Sequence, residues 1–412
     1  MKQNNIMIST YDEGIIKLFR IGVSKMNKSV FSRKELKFLI GISFAIGFVQ
    51  FSLGLIAPFV STYASNLKYT TPALVGLSLG IYGLTQGILQ LPYGMWSDRI
   101  GRKTVLLTGL MQMILGFFLG YIAQNIYTFI IARALQGSGA IMAVAYSWIG
   151  DSISDEKKNR AMGTAGMIVG LAAAGAFGLG PILYKLMSVP KIFLMCAFLA
   201  LLGWIYILIF MKNDKVSTTK EMDKVSLKDF LRHKSFNSLV RITIAGFITD
   251  YILFTVYFIV PLLLQKYMAA SDMWKVFLPS IVIAIIALKF ASNYADKGYF
   301  IKVNKYSFLV ALLGSLCFFV HNVFLTAFGM ILSMTAFMCL ISLLPSGVNK
   351  LTEENIRGSA NGLLNTFIFF GAFVGGSLSG LLWNINSLFP ALILTALSFI
   401  GFLLIAGIKE EL

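Results

Sequence analysis

Apolar residues along this 412-residue chain are gathered into long runs that are separated by short polar connections. Each run comes close to the roughly 20 residues that an α-helix needs to cross the hydrocarbon core of a bilayer. The pattern therefore predicts an all-α membrane protein with twelve transmembrane helices, named spans 1 to 12. The predicted spans are 38–60, 72–94, 104–122, 127–149, 161–183, 191–211, 238–262, 274–292, 306–322, 324–345, 359–382 and 388–408.

Composition and charge agree with a membrane protein and predict its orientation. Hydrophobic residues make up 57% of the chain and charged residues only 13%, whereas a soluble domain is about a quarter charged. The formal net charge of +17 would suggest a nucleic-acid partner in a soluble protein. Here most lysines and arginines fall in the connections on one side of the bundle, which the positive-inside rule makes cytoplasmic. We therefore expect both termini in the cytoplasm, a lipid bilayer around the spans and no nucleic-acid partner.

The chain contains an internal repeat. Asp98 follows span 2 and Asp296 follows span 8, 198 positions later, while Gly175 and Gly375 lie 200 positions apart in glycine-rich runs. Two halves of parallel topology place a substrate site near the middle of the membrane, where the halves meet. The predicted organisation is a tail at 1–37, a six-helix half at 38–211, a cytoplasmic linker at 212–237, a second six-helix half at 238–408 and a C-terminal segment at 409–412.

Three motifs connect this pattern to a family. Span 2 leads into Gly94-Met-Trp-Ser-Asp98-Arg99-Ile-Gly101-Arg102-Lys103, which resembles the loop 2–3 signature G-x-x-x-D-R-x-G-R-K of the major facilitator superfamily. Span 4 contains Arg133-Ala-Leu-Gln-Gly137, similar to the span 4 arginine motif of that family. Span 5 contains Gly175-Ala-Phe-Gly178-Leu-Gly180-Pro181, similar to the antiporter motif of its bacterial proton-driven drug-efflux branch without the final Gly-Gly.

The resemblance implies a mechanism for the loop 2–3 motif. Glycine at Gly94 and Gly101 would allow a tight turn between two helix ends. The family implies that Asp98 contacts the N-terminus of span 11 and holds the cytoplasmic side shut, since an acid is stabilised there by the helix dipole. It also implies that Arg102 pairs with an acid at the inner end of span 4, where Asp151 is the matching residue.

Two charged residues inside predicted spans are candidates for proton coupling. Asp250 is the carboxylate that lies deepest within a span, and intramembrane acids usually pair, face water or carry a proton. Two interpretations stay open: Asp250 cycles a proton, or it is a static partner of another polar side chain. Arg133, deep in span 4, handles protons or substrate according to the family match, or it is a structural hydrogen-bonding centre.

Other polar residues are placed by the pattern along the expected cavity. They are Gln50 in span 1, Gln86 and Gln90 in span 2, Tyr257 in span 7, and Asn361 and Asn365 in span 11. Spans 2 and 11 also carry glycines at helical spacing, which lets two helices pack closely.

The leading hypothesis is a monomeric, proton-coupled antiporter that expels small amphiphilic compounds from a bacterium, driven by the proton gradient with no cofactor. A dedicated metabolite or siderophore exporter, or a proton-coupled uptake symporter of the same fold, is the alternative, because the span 5 motif is incomplete. An enzyme is not expected, since the chain has neither a Walker loop nor a constellation of catalytic residues.

Overall fold

The computed structural model describes residues 31–211, 235–269 and 272–408. Most of the predicted tail, residues 212–234 of the predicted linker and the whole C-terminal segment at 409–412 lie outside this description. The same holds for the side chains of Asp155, Asn159, Ala174, Phe177, Gly178, Pro181, Glu354, Asn355, Ile356 and Gly358.

The first half is built from six spans. They are Arg33–Ile56 and Val60–Ser65 (span 1, joined by the 3₁₀ turn Ala57–Phe59), Pro72–Ile100 (span 2), Arg102–Ile122 (span 3), Ile126–Ser138 and Ile141–Ser152 (span 4), Asp155–Leu186 (span 5) and Val189–Phe210 (span 6). Span 4 is interrupted at Ala140, which has the left-handed backbone conformation (φ 36°) that residues with a side chain seldom adopt.

The second half repeats this order. It contains Phe236–Leu264 (span 7), Trp274–Tyr294 (span 8), Phe300–Leu316 (span 9), Val323–Leu351 (span 10), Glu354–Ile385 (span 11) and Phe389–Ala406 (span 12), with the π-helical turn Ala295–Tyr299 between spans 8 and 9.

The helices confirm the predicted fold class. Within the described residues, ten stretches are long and apolar enough to cross a membrane, and one of them, Trp274–Phe319, holds both span 8 and span 9. With span 5 they give the twelve spans that the hydropathy pattern predicts. The protein is an all-α, multi-pass membrane protein.

The two halves are in contact on one side of the bundle, which we call the loop 1–2 side after the connection at 66–71. Phe59 stacks on Tyr184 with ring centroids 4.5 Å apart, and its ring centroid lies 6.1 Å from that of Phe277 in span 8. The Ser61 hydroxyl donates to the backbone oxygen of Tyr257 at 2.7 Å. These contacts join span 1 to spans 7 and 8 and close the half-interface on this side.

Glycines hold spans 2 and 11 together over the same part of the bundle. A Cβ atom at Gly76 would overlap the carbonyl oxygen of Gly376, and one at Gly83 would lie 2.6 Å from the Phe369 oxygen. Small residues let helix backbones approach closely where apolar surroundings offer no hydrophobic driving force. The glycine faces of spans 2 and 11 are therefore in direct contact.

The halves separate towards the opposite side, which we call the loop 2–3 side after the connection at Gly101. A Cβ atom at Gly87 would still lie 3.3 Å from Phe369, but one at Gly94 would have no heavy atom within 4 Å. Among the described side chains, Leu363 and Phe367 in this part of span 11 are more than a third exposed. The half-interface is thus open on the loop 2–3 side.

Two local expectations are corrected. Gly94 was expected in a tight turn, but span 2 remains helical to Ile100 and the turn rests on Gly101 alone, with φ 99°. Span 9 was expected from 306 and begins at Phe300. The polar residues that hid this start, such as Lys302 and Lys305, lie in the first turns of the helix, where long side chains can reach the membrane surface.

Candidate transport site

Asp250 lies at the middle of span 7, fourteen residues from Phe236 and from Leu264. It is 8% exposed. None of the ion pairs found among the described side chains includes it. A buried carboxylate without a basic partner is expensive to keep ionised, so this environment favours the protonated form until water or a cation reaches it.

Arg133 is buried in span 4, seven residues after its start at Ile126. Its Nε donates to the backbone oxygen of Ser78 at 3.2 Å, and its Nη1 donates to Gln136 Oε1 at 2.7 Å. Gln136 in turn donates to the Gly116 oxygen of span 3. Arg133 therefore joins spans 2, 3 and 4, which gives it a structural role and leaves its charge without an acidic partner among the described side chains.

Tyr82 of span 2 interacts electrostatically with both of these charges. The Arg133 guanidinium carbon lies 5.1 Å from the centroid of the Tyr82 ring, a distance at which a cation and an aromatic face attract each other. Tyr82 lies within electrostatic range of Asp250 as well. Arg133 and Asp250, which belong to different halves, thus both act on Tyr82 electrostatically.

The remaining cavity candidates are not all equally accessible. Gln50, Gln90 and Asn361 are half-buried and Asn365 is exposed. Gln86 is buried, and Tyr257 is 1% exposed behind the contacts that close the loop 1–2 side. Asn361 donates to Asn349 Oδ1 at 2.7 Å, which joins span 11 to span 10. Gln90 Oε1 is buried and accepts no hydrogen bond from the described residues.

The loop 2–3 motif forms a polar cluster on the open side of the molecule. Arg102 Nε donates to Asp151 Oδ2 at 2.8 Å, the pair that the resemblance implies, and Arg102 Nη1 lies 2.5 Å from Asp98 Oδ1. Asp98 and Asp151 are both 52% exposed, so each ion pair contributes at most about 1 kcal/mol. Among the described side chains Asp98 makes no ion pair with span 11, from which this end of span 2 is separated.

The lysine and the other arginine of the motif differ in their contacts. Lys103 Nζ donates to the backbone oxygens of Leu208 and Met211, where span 6 ends. A cation at a helix C-terminus is favourable because the last carbonyl groups lack partners within the helix. Arg99 is exposed. The motif thus fastens span 3 to spans 4 and 6.

The span 5 motif packs against span 1. A Cβ atom at Gly180 would lie 2.9 Å from the backbone oxygen of Leu55, and one at Gly175 would lie 3.9 Å from Phe51. The side-chain environments of Gly178 and Pro181 lie outside the described residues. What the structure describes of this motif is close helix packing within the first half.

Comparison of the sequence with known proteins agrees with this architecture and these motifs. The sequence profile of the Major Facilitator Superfamily matches residues 42–376. The chain belongs to the major facilitator superfamily. As a member of this superfamily it is a membrane transporter for small molecules and not an enzyme. Among the described residues, no group of three or more His, Cys, Asp or Glu side chains is placed to hold a metal ion.

Two of the transporters that this chain resembles are bacterial proteins. The inner membrane transport protein YajR of Escherichia coli strain K12 is 29% identical over 340 residues, which cover 81% of this chain and 74% of YajR. The quinolone resistance protein NorA of Staphylococcus aureus strain MSSA476 is 23% identical over 405 residues, which cover 94% of this chain and 98% of NorA. Both alignments extend across the two halves of this superfamily member.

Solved structures share the fold. One is a bacterial homologue of the human lysosomal transporter Spinster in an inward-facing, occupied conformation, with a TM-score of 0.72 and 10% sequence identity over 91% of this chain and 97% of that one. At this level of identity the likeness concerns the fold alone.

The sequence alone does not identify Tyr82 and Gln136 as neighbours of Arg133, because their positions beside it depend on how spans 2, 3 and 4 pack.

Proposed function

We propose that this transporter is a proton-coupled antiporter that exports small amphiphilic compounds from the bacterial cytoplasm, with the loop 2–3 side and both termini facing the cytoplasm. The observation that carries the proposal is the buried carboxyl group of Asp250 at the middle of span 7, without an ion-pair partner among the described side chains. The drug-resistance name of NorA supports the substrate class.

The proposed cycle uses the charges at the half-interface. Protonated Asp250 is neutral and tolerates burial, whereas the ionised carboxylate requires water or a cation nearby. In the conformation observed here, the interface opens to the loop 2–3 side, where a cationic or polar substrate can reach Asp250 and displace its proton. Arg133, with Tyr82 before it, supplies a positive charge in the opposite half that attracts the carboxylate once it is ionised. Rocking of the halves then carries the substrate across.

The loop 2–3 motif is proposed to act as the gate of this cycle. When the halves close on the loop 2–3 side, Asp98 would reach the N-terminus of span 11, as the family resemblance implies, and its weak ion pair with Arg102 costs little to rearrange. Gln90, whose buried Oε1 accepts no hydrogen bond from the described residues, would accept one from a substrate once a side-chain movement exposes it. The transporter is expected to work as a monomer because one chain contains both halves.

Proton movement in everted membrane vesicles tests the proposal. Vesicles with the wild-type protein, energised to a proton gradient, receive cationic and neutral amphiphiles while their internal pH is followed. We expect substrates to release protons from wild-type vesicles and to give no such signal with Asp250→Asn, which keeps the size of the side chain but cannot ionise. Asp272→Asn is the matched control, since Asp272 is an exposed acid on the loop 1–2 side that pairs with Lys275.

Each other outcome has a definite meaning. A normal signal in Asp250→Asn contradicts a proton-carrying role for Asp250. A signal of opposite sign contradicts efflux and favours the proton-coupled uptake symporter. Substrate transport without any proton signal contradicts proton coupling and leaves a facilitator of the same fold.

A further inference from the structure

A groove with a volume of about 560 Å³ lies between spans 8, 9 and 10, away from the half-interface. Spans 8 and 9 both pack against span 10 but make little contact with each other, which leaves a slot between them. The rim of the slot is aromatic and exposed, formed by Phe290, Tyr294, Tyr299 and Tyr306. We call this slot the span 8–10 groove.

The corresponding place in the first half is filled by hydrogen-bonded side chains. Tyr93 of span 2 is 2% exposed, and its hydroxyl donates to Gln112 Oε1 of span 3. Ser138 of span 4 donates to the same oxygen at 3.3 Å. These three side chains plug the space between spans 2, 3 and 4.

The internal repeat shows which residues replace this plug. Spans 3 and 9 correspond at an offset of 198, at which Gly116 and Gly314 both lie in close contact with the next span, since a Cβ atom on either would come within 2.8 Å of it. Spans 4 and 10 correspond at an offset of 197, at which Asn125 and Asn322 both cap the helix start. For spans 2 and 8 the loop aspartates set the offset at 198.

At these offsets the second half has lost the plug. Tyr93, Gln112 and Ser138 correspond, in that order, to Ala291, Val310 and Thr335, and all three counterparts line the groove. The phenol ring and the amide are thus replaced by much smaller apolar groups. Thr335 Oγ1 is left without a hydrogen-bond partner among the described residues. The second half therefore has an apolar slot where the first half has a packed polar cluster.

The mouth of the groove carries positive charge. Lys302 lines it, with Nζ 4.9 Å from the centroid of the Tyr299 ring. The segment 294–306 contains two more lysines and a single acid, Asp296. None of the ion pairs found among the described side chains includes these lysines. Tyrosine and lysine together are typical of the membrane–water interface, where basic clusters attract anionic head groups.

The depth of the groove matches one leaflet of a bilayer. From Tyr299 at its mouth to Val310 there are eleven residues, which span about 16 Å along a helix. The hydrocarbon core is about 30 Å thick, so half of it is about 15 Å. An apolar slot of this depth with cations at its open end fits an acyl chain below a negatively charged head group.

We propose that the span 8–10 groove binds one anionic phospholipid of the leaflet on the loop 2–3 side. One acyl chain occupies the space left by Ala291 and Val310, and the phosphate lies at Lys302 and Tyr299. The bound lipid takes the place of the Tyr93 plug and holds spans 8, 9 and 10 together as the second half moves against the first.

Native mass spectrometry of the delipidated protein in detergent tests the charge of the ligand. Phosphatidylglycerol and phosphatidylcholine with identical chains are titrated separately. We expect one phosphatidylglycerol to bind per chain, more tightly than phosphatidylcholine. Lys302→Gln is expected to weaken phosphatidylglycerol binding about five-fold, as one lysine near an anionic surface contributes about 1 kcal/mol. Lys191→Gln, an exposed lysine on the loop 1–2 side, should change nothing. Equal affinity for both lipids, or no effect of Lys302→Gln, overturns the proposal.

A second variant tests the location. Ala291→Tyr with Val310→Gln rebuilds the plug of the first half, and we expect it to remove binding of both lipids while the melting temperature is kept or raised. If the double variant does not fold, Ala291→Phe alone fills the slot and replaces it. Undiminished lipid binding in a folded plug variant shows that the lipid binds elsewhere and overturns the proposal.

Discussion

The two glycines of the loop 2–3 motif, Gly94 and Gly101, should respond to substitution by alanine with opposite changes in stability. Gly101 has φ 99° and ψ 142°, a conformation that residues with a Cβ atom rarely adopt, so Gly101→Ala should cost about 1–3 kcal/mol. Gly94 is helical with open space around it, so Gly94→Ala should gain about 0.5–1 kcal/mol. Thermal melting of the two variants in detergent measures this. Equal destabilisation by both would contradict the argument.

Chemistry at the scale of single residues was only partly predictable. Asp250 and Arg133 are identified by the sequence because a charge inside an apolar run is conspicuous. Tyr82 is not, since one more tyrosine in a membrane span carries no signal until packing places its ring beside Arg133. Gly94 was misplaced because a motif fixes the order of residues but not the point at which a helix ends.

At the scale of helices, substitutions can test whether close contact between the glycine faces of spans 2 and 11 stabilises the protein. A Cβ atom at Gly76 would overlap Gly376 and lie 2.7 Å from Gly380 Cα, and backbone cannot move aside as a flexible side chain can. Gly76→Ala should therefore separate spans 2 and 11 and cost about 1–3 kcal/mol by overpacking. We expect a lower melting temperature and slower transport.

The matched control is Gly362→Ala. Gly362 lies in span 11 on the open side of the half-interface, where a Cβ atom would have no heavy atom within 4 Å. Its melting temperature should be unchanged or higher, because alanine favours helix more than glycine does. If Gly76→Ala melts like Gly362→Ala, close contact of the glycine faces is not needed for stability.

Element prediction succeeded where hydropathy alone decides. The order and number of spans follow from apolar length, so they are correct in both halves. The start of span 9 was missed because its first turns are polar at the membrane surface. The interruption of span 4 at Ala140 was missed because it depends on packing between helices. A Cβ atom at Gly109 in span 3 would overlap the backbone oxygen of Gly139, which lies beside the interruption.

At the scale of the whole molecule, the closed loop 1–2 side and the open loop 2–3 side define one state of a transport cycle. The sequence predicts two halves and hence alternating access, but it cannot choose the state, because both states bury similar apolar residues. Contacts that exist in only one state decide the balance. Phe59 is such a contact, since its ring reaches Phe277 across the interface while its stacking on Tyr184 stays within the first half.

Phe59→Ala should therefore shift the balance towards the state open on the loop 1–2 side. Loss of an aromatic pair is worth up to about 1.5 kcal/mol, or roughly a ten-fold change in the ratio of the two states. Spin labels at Lys68 and Lys266, exposed residues in different halves on the loop 1–2 side, should report a larger population of long distances. Labels at Thr104 and Glu353, on the loop 2–3 side, should report more short distances.

The control for this shift is Phe193→Ala. Phe193 is fully buried and packs on Tyr63 and Phe129, all within the first half. Its removal should lower the melting temperature as a core truncation does and leave both distance distributions unchanged, because the lost contacts exist in both states. If Phe193→Ala moves the distances as far as Phe59→Ala does, general loosening and not loss of an interface contact sets the conformational balance. If Phe59→Ala moves only the loop 1–2 pair, the halves do not rock as rigid bodies.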